Sequence, residues 1–280
     1  MIIDFHTHLF PGSICSDRQC YWDSEPAFET LYRSPKSRLV GAPELLDAMD
    51  ESGVDRSVVF GFPWQNPELF TMHNDCILEA VQKHRGRLIG FGCFDPLASG
   101  AAREAERCLD GGLYGIGELG YYRSGIDEEA LDRLAPVMDL CRERNRPVLI
   151  HANEPIGHAY PGKTAVTLAQ IYRLVKRFAG TTIVLAHWGG GLFFFQLLKK
   201  EVKESLRSVF FDTAASPFLY DPAVYRVAID LIGADRILFG SDYPLLSPSR
   251  YFKEMEAGGV SKPDRASICG LNAARVLGLT

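Results

Sequence analysis

Short apolar runs rich in Val, Ile, Leu and Phe alternate with longer stretches whose apolar positions recur three and four residues apart, and the alternation runs the length of the chain. The short runs suit strands buried on both faces, and the longer spacing suits helices with one apolar stripe. Eight strands are expected: Ile2 to His8, Ser57 to Phe62, Leu88 to Phe94, Gly115 to Leu119, Val148 to Ala152, Thr182 to His187, Val209 to Thr213 and Ile237 to Asp242. Helical spacing predicts Pro43 to Ser52, Pro67 to Lys83, Ala101 to Leu109, Glu128 to Arg144, Ala165 to Phe178, Leu192 to Leu206, Pro222 to Ile232 and Arg265 to Leu277. Strand and helix in alternation mark βαβ units, and right-handed crossovers repeated eight times close on themselves. The expected fold is therefore α/β, a (β/α)8 TIM barrel in a single domain over residues 1–280. An open doubly wound sheet is the competing architecture, but no glycine-rich phosphate fingerprint follows the first strand. The stretch from Phe10 to Ala42 is too long for an ordinary strand-to-helix connection. A lid over 10–42 and a bland surface excursion are both open readings of this long loop after strand 1.

Length fits this picture, since 280 residues lie close to the roughly 250 typical of one such barrel. A chain of that size buries enough surface to fold unaided, so a metal would serve chemistry rather than stability. The net charge of -5 and the absence of a basic stripe speak against a nucleic-acid partner. Neither a basic leader nor a long apolar leader segment opens the chain, and its longest apolar stretch, Leu192 to Leu198, is too short for a bilayer. A cytoplasmic protein with a small-molecule substrate and no membrane partner is expected, and a homo-oligomer is compatible with the sequence. Seven cysteines, an odd number scattered along the chain, fit reduced thiols. Cys15 and Cys20, with no matching second pair, read as ordinary loop thiols.

Chemistry enters with Asp4-Phe5-His6-Thr7-His8, which places two imidazoles two residues apart on the first strand. Side chains at that spacing share a face, so both rings can reach one ion at the carboxyl end of the strand, where barrel active sites are built. Polar residues end three further apolar runs: His151 after Val148-Leu149-Ile150, His187 after Val184-Leu185-Ala186, and Asp242 after Phe239-Gly240-Ser241. Burying each alone would cost roughly 2–7 kcal/mol, so they are expected to partner one another or an ion. Independent histidines, each satisfied by a carbonyl, would need the same coincidence at four strand ends.

These segments together resemble the amidohydrolase superfamily of metal-dependent hydrolases, and especially its family 2. The resemblance rests on Asp-Phe-His-Thr-His, the Leu-Ile-His ending at His151, the Leu-Ala-His-Trp-Gly-Gly-Gly that contains His187, and the Gly-Ser-Asp-Tyr-Pro that contains Asp242. It implies that His6, His8, His151 and Asp242 hold a first metal or contact its water, and that His187 binds a second metal or acts as acid or base. Glu118, in Gly115-Ile116-Gly117-Glu118-Leu119-Gly120, is similar to a ligand glutamate of the TatD barrel deoxyribonucleases and would raise the chance of a two-metal site. A glutamate merely hydrogen-bonded in the barrel mouth is the alternative, and family 2 decarboxylases do without this carboxylate.

The resemblance implies a divalent cofactor, with Zn²⁺ expected, Mn²⁺, Fe²⁺, Ni²⁺ or Co²⁺ as alternatives, and one or two ions. Such an ion activates water at neutral pH and polarises a carbonyl. Asp242 is expected to carry the proton and His187 to stabilise the developing oxyanion, so these two are the catalytic candidates. Glycines 189–191 before a helix near Leu192 suggest a resting place for a substrate anion. Trp64, Tyr121, Tyr122, Arg123, Trp188 and Tyr243 are the candidate substrate contacts, and Arg123 would suit an acid. The main expectation is hydrolysis of a small amide, lactone or ester bearing a carboxylate. Alternatives are non-oxidative decarboxylation of an aromatic or unsaturated acid, a nuclease or phosphodiesterase like TatD, and a barrel that binds without catalysis.

Overall fold

In the computed structural model, which describes residues 1–198 and 200–279, eight parallel strands form one sheet in the order of the chain. They are β1 (Ile3–His8), β2 (Arg56–Phe60), β3 (Leu88–Gly92), β4 (Gly115–Leu119), β5 (Val148–Ile150), β6 (Ile183–Leu185), β7 (Phe210–Asp212) and β8 (Ile237–Leu238). The sheet closes where the chain beyond β8 runs beside β1. Phe5 donates to Phe239 O at 2.7 Å, Asp242 to His6 O at 2.9 Å and His8 to Tyr243 O at 2.7 Å through their backbone amides. The molecule is thus the (β/α)8 barrel that the periodicity predicts.

The later strands are shorter than expected because their last residues leave the ladder. His187 and Asp242 have φ of 56° and 59°, in the left-handed region that non-glycine residues seldom enter. That turn takes each residue off the strand at the barrel mouth. The register of β1 against β2 also slips between Asp4 and Thr7. Ile3 and Phe5 join a buried apolar cluster with Val58, Phe91 and Leu149, while the rings of His6 and His8 sit 5.3 Å apart and both edge Phe60. Gly240 admits His6 to this corner, since a Cβ there would lie 2.7 Å from His6 Cβ.

Helices cover the barrel much as the spacing predicts, with Ala42–Ser52, Pro67–Lys83, Ala101–Asp110, Glu128–Glu143, Leu168–Arg177 and Ala223–Ile232 packed outside it. One expectation fails: no α-helix starts near Leu192. Residues Trp188, Gly189, Gly190 and Gly191 all have positive φ, and His187–Leu197 coils as a 3₁₀ segment before a short helix, Lys200–Ser205. A backbone wound in that left-handed region cannot launch the regular helix that an anion site there would require. Residue 199, inside the helix expected over Leu192 to Leu206, lies outside the described residues. The expected helix over Arg265 to Leu277 is three consecutive pieces from Lys262 to Val276, and a helix over Pro248–Ala257 was not anticipated.

The 10–42 segment is seated on the barrel mouth and contains its own short helices, Gly12–Ser16 and Pro26–Tyr32. Phe28 packs 4.5 Å from Trp64 and 5.3 Å from Phe62, ring to ring. The fully buried carboxylate of Glu25 accepts from the backbone amides of Gln65 and Asn66. All seven cysteines are free thiols, and among the described residues no helix is long and apolar enough to cross a membrane.

Candidate active site

Six strand ends deliver ionisable side chains to one place at the carboxyl mouth of the barrel. His6 and His8 come from β1, Glu118 from β4 and Asp212 from β7, while His151, His187 and Asp242 follow β5, β6 and β8. Asp242 Oδ1 lies 3.7 Å from His6 Nε2 and 3.3 Å from His8 Nε2. Glu118 turns Oε2 to His6 Nε2 at 3.7 Å, and Oε1 to His151 Nδ1 at 3.0 Å and His187 Nε2 at 3.3 Å. The structure therefore brings all six expected ligand residues together.

The remaining ring nitrogens fix the tautomers. His6 Nδ1 faces Asp212 Oδ2 at 2.8 Å, His8 Nδ1 faces Gly61 O at 3.3 Å and His187 Nδ1 faces Ala214 O at 3.1 Å. Carboxylates and carbonyls only accept, so these nitrogens carry hydrogen and each Nε2 presents a lone pair to the cluster. His151 is turned the other way: its Nε2 donates to Gly162 O at 3.0 Å, leaving Nδ1 to face Glu118. Acceptor then confronts acceptor across the whole cluster, a conflict that protons or a shared cation resolve.

The electrostatics agree. Burial alone would lower the pKa of His6, but the carboxylates of Asp212, Glu118 and Asp242 overcome it and raise the value to about 10. For His187, burial is likewise overcome, chiefly by its hydrogen bond to Glu118, and the value rises to about 9. Burial works the other way on Glu118, yet His6, His151 and His187 hold it well below the ordinary carboxylate range. Asp242 is lowered too, its burial outweighed by His8, His6 and His187. A field that retains protons this firmly also favours a divalent ion. Three overlapping sets of donors lie within 4.8 Å of one another: His6, His8 and Glu118; His6, His187 and Asp242; and Glu118, His151 and His187. His6 Nε2 is buried without a hydrogen-bond partner, as a ligand atom awaiting its ion would be. Imidazole nitrogen and carboxylate oxygen suit Mn, Fe, Co, Ni and Zn alike, so the residues fit the metal that the sequence implies.

Two buried carboxylates were not anticipated. Asp212 accepts from His6 Nδ1 and, through Oδ1, from the backbone amides of His187 and Ala214 at 2.9 and 3.0 Å. It ties a β1 ring to the strained turn after β6. Its signal was present, a polar residue ending the run Phe210-Phe211, but the strand was expected to continue to Thr213. Asp4 accepts from the amides of His6 and Ser241, and burial raises its carboxyl to about 7.

Above the cluster opens a cavity of about 620 Å³ with a mostly apolar wall. Tyr32, Phe62 and Tyr122 line it, the Phe62 and Tyr122 rings lying 6.1 Å apart at 25°. Lys36, Arg38 and His158 also line it. Of the six residues expected to touch substrate, Tyr122 lines the cavity and the other five are elsewhere. Trp64 and Trp188 are fully buried, their indole nitrogens donating to His73 Nδ1 and Ser216 Oγ. Tyr121 is buried, Arg123 pairs with Asp95 at 2.9 Å, and Tyr243 turns its hydroxyl to Glu44 O. Phe62 lines the cavity near where Trp64 was expected, while Tyr121 is buried beside the cavity-lining Tyr122.

Residues 3–279 match the family model described as amidohydrolase. The solved structures that the chain resembles include 5-carboxyvanillate decarboxylase from Sphingomonas paucimobilis, with 19% identity over 100% of this chain and 99% of that one and a TM-score of 0.76. Another is the same activity from Novosphingobium aromaticivorans with manganese and 4-hydroxy-3-methoxy-5-nitrobenzoic acid, with 19% identity, coverage of 99% and 96%, and a TM-score of 0.77. A third is dihydroxybenzoic acid decarboxylase from Polaromonas sp. JS666 with manganese and 2-nitroresorcinol, with 21% identity, coverage of 99% and 97%, and a TM-score of 0.73. At these identities the likeness establishes the fold.

Proposed function

The chain belongs to the amidohydrolase family, and from that premise we propose that it is a divalent-metal-dependent decarboxylase of small hydroxylated aromatic acids. The observation that carries this reading is the cavity over the Asp242, His8 and Glu118 cluster, whose mostly apolar wall includes the rings of Phe62 and Tyr122 and offers an aromatic substrate a surface to pack against. Support also comes from the structural relatives, whose names specify decarboxylation of ring carboxylates. This replaces amide, lactone or ester hydrolysis as the preferred reading. Manganese stands beside zinc as the ion, since two of those relatives hold it.

His6, His8, Glu118 and Asp242 would hold the ion, with His151 and His187 reached through the second oxygen of Glu118. When bound, it supplies positive charge and Lewis acidity toward a substrate carboxylate or ring oxygen. Asp242 has a lowered pKa and meets the substrate as a carboxylate, so the proton it delivers must first be drawn from the ring hydroxyl. It passes that proton to the ring carbon bearing the carboxylate. The carbon–carbon bond then breaks, its electron pair restores the aromatic ring, and CO₂ leaves. The product retains the phenolate, which water reprotonates, and no outside oxidant or reductant is needed. His187, held protonated by a pKa raised to about 9, would donate from Nε2 to the substrate carboxylate.

The test is a panel of hydroxybenzoic acids with Mn²⁺- or Zn²⁺-loaded protein in D₂O. Released CO₂ and one deuterium at the vacated ring carbon are expected. Opening of lactones or esters without CO₂ from any acid would overturn the proposal in favour of hydrolysis. One feature favours that second reading: Glu118 offers its two oxygens to two different donor sets, as a carboxylate bridging two ions would. Metal stoichiometry separates them, one ion per chain supporting the decarboxylase and two the hydrolase.

A further inference from the structure

We propose that Asp4 is a positioning residue for the metal centre, a buried clasp across the barrel seam that fixes where Asp242 stands against His6. This role rests on the ion proposed for the floor and is indifferent to which reaction follows. A clasp is needed because the ladder skips at the seam. From the bond of Phe5 N to Phe239 O to that of Asp242 N to His6 O, β1 advances one residue and the chain beyond β8 advances three. The Ser241 amide falls inside that skip. It donates to Asp4 Oδ1 at 2.9 Å, and the His6 amide donates to the same atom at 3.2 Å.

Those two amides belong to the backbone that places the ion's donors. One is the amide of His6 itself, and the other immediately precedes Asp242, whose Oδ1 lies 3.7 Å from His6 Nε2. Asp242 has a φ of 59°, a conformation that a non-glycine residue keeps only where its surroundings hold it. Asp4 grips that turn through the Ser241 amide, and Tyr251 grips it from the other side, its hydroxyl donating to Ser241 O at 2.7 Å. Asp4, Ser241 and Tyr251 are fully buried, so water cannot replace either bond. Asp4 does not line the cavity and belongs to none of the donor sets found among the described residues. It therefore reaches the ion through the backbone it holds. The competing route is through space, since Asp4 Oδ2 has no hydrogen-bond partner and a bare buried charge would attract a cation.

Chelator competition for Mn²⁺, together with the paramagnetic resonance spectrum of the bound ion, tests the clasp in three variants. Asp4→Ala orphans both amides, so Mn²⁺ affinity should fall about 10- to 100-fold, as when the group behind a ligand is lost, and the spectrum should change. Asp4→Asn keeps an oxygen for both amides but no charge, and should match the unaltered protein in affinity and spectrum. Tyr251→Phe deletes one buried hydroxyl without touching Asp4, and affinity should fall by less than in Asp4→Ala. An Asp4→Asn variant as weak as Asp4→Ala would overturn the clasp in favour of charge alone. Normal affinity and spectrum in Asp4→Ala would overturn it too, whatever happens to the melting temperature. Should Asp4→Ala fail to fold, normal affinity in Asp4→Asn with a loss in Tyr251→Phe supports the clasp, and any other pair of results overturns it. If the unaltered protein binds no Mn²⁺, the floor loses its ion and hydrogen exchange decides. The His6 and Ser241 amides should then exchange faster in Asp4→Ala than in Asp4→Asn, with Val184 in β6 unchanged, and equal rates would overturn the clasp. CO₂ release from hydroxybenzoic acids is scored separately. The expected order of affinities without CO₂ refutes the decarboxylase and leaves the clasp, whereas CO₂ with affinity indifferent to Asp4→Ala refutes the clasp and leaves the decarboxylase.

Discussion

The floor of the cavity and its wall are built in different ways. Every charged group on the floor sits at or just beyond a barrel strand, and its histidines are gripped from behind, His6 by Asp212, His8 by Gly61 O and His187 by Ala214 O. The wall comes from connections, with Tyr32, Lys36 and Arg38 from the 10–42 segment and Tyr122 from the turn after β4. The floor is thereby preorganised for one kind of chemistry, and the wall is free to differ in the molecule it admits. Function in barrels divides along the same line, since one ladder supports many reactions through changes in its loops.

The largest effect should follow from disturbing the floor at its proton carrier. Asp242→Asn preserves an oxygen beside His8 and His6 but cannot carry a proton, and turnover should fall roughly 10² to 10⁴-fold while bound metal persists. Near-normal kcat in a metal-replete variant would remove Asp242 from that role. A smaller loss should come from Asp212→Asn. Its amide oxygen can still accept from the His187 and Ala214 amides, but His6 loses the carboxylate that holds its tautomer. Metal affinity, read by chelator competition, should drop about 10- to 100-fold, and an unchanged affinity would mean that the floor does not depend on its backing.

A subtler consequence is proton-linked. Without its ion, the floor raises His187 to about 9 and His6 to about 10, above the ordinary imidazole value. Their protonated forms favour the folded chain, so this stabilisation is complete below roughly pH 6.5. It is lost as pH rises through about 9 and then about 10. The melting temperature of chelator-treated protein should therefore decline over that alkaline window while the ion-loaded protein holds. Near neutrality the ion must expel these protons, so binding heats should vary with the ionisation enthalpy of the buffer. Identical heats in all buffers would show that no protons leave.

The floor was readable in the chain because polar residues closing apolar runs have few places to go: His151 after Leu149-Ile150 and Asp242 after Phe239-Gly240-Ser241 could only be buried at the barrel mouth. Glu118 was visible on the same grounds, though nothing in the chain tells that its two oxygens serve different rings. Asp212 escaped because a strand boundary misplaced by one residue hides which side chain ends the run. The wall was far less readable. No periodicity tells that Glu25 pins the long segment to Gln65 and Asn66, or that Arg38 rests on Tyr243. The coil over His187–Leu197 shows the same limit, since glycines permit a left-handed path without announcing it.

The smallest effect on catalysis is expected at Trp64, a residue whose size and place near a strand end suggest substrate contact. Its indole nitrogen donates to His73 Nδ1 at 2.8 Å, and His73 Nε2 donates in turn to Leu9 O at 2.7 Å. Burial lowers the His73 pKa to about 4, so the ring stays neutral and needs this donor. Trp64→Phe keeps the ring packing on Phe28 and Phe62 but leaves the Nδ1 lone pair buried and unmatched, at a cost of about 1–3 kcal/mol. The variant should melt at a lower temperature with KM and metal affinity unchanged. Were KM to rise instead while stability held, Trp64 would belong to the substrate wall, and the division between a rigid floor and the layer behind its wall would have to be redrawn.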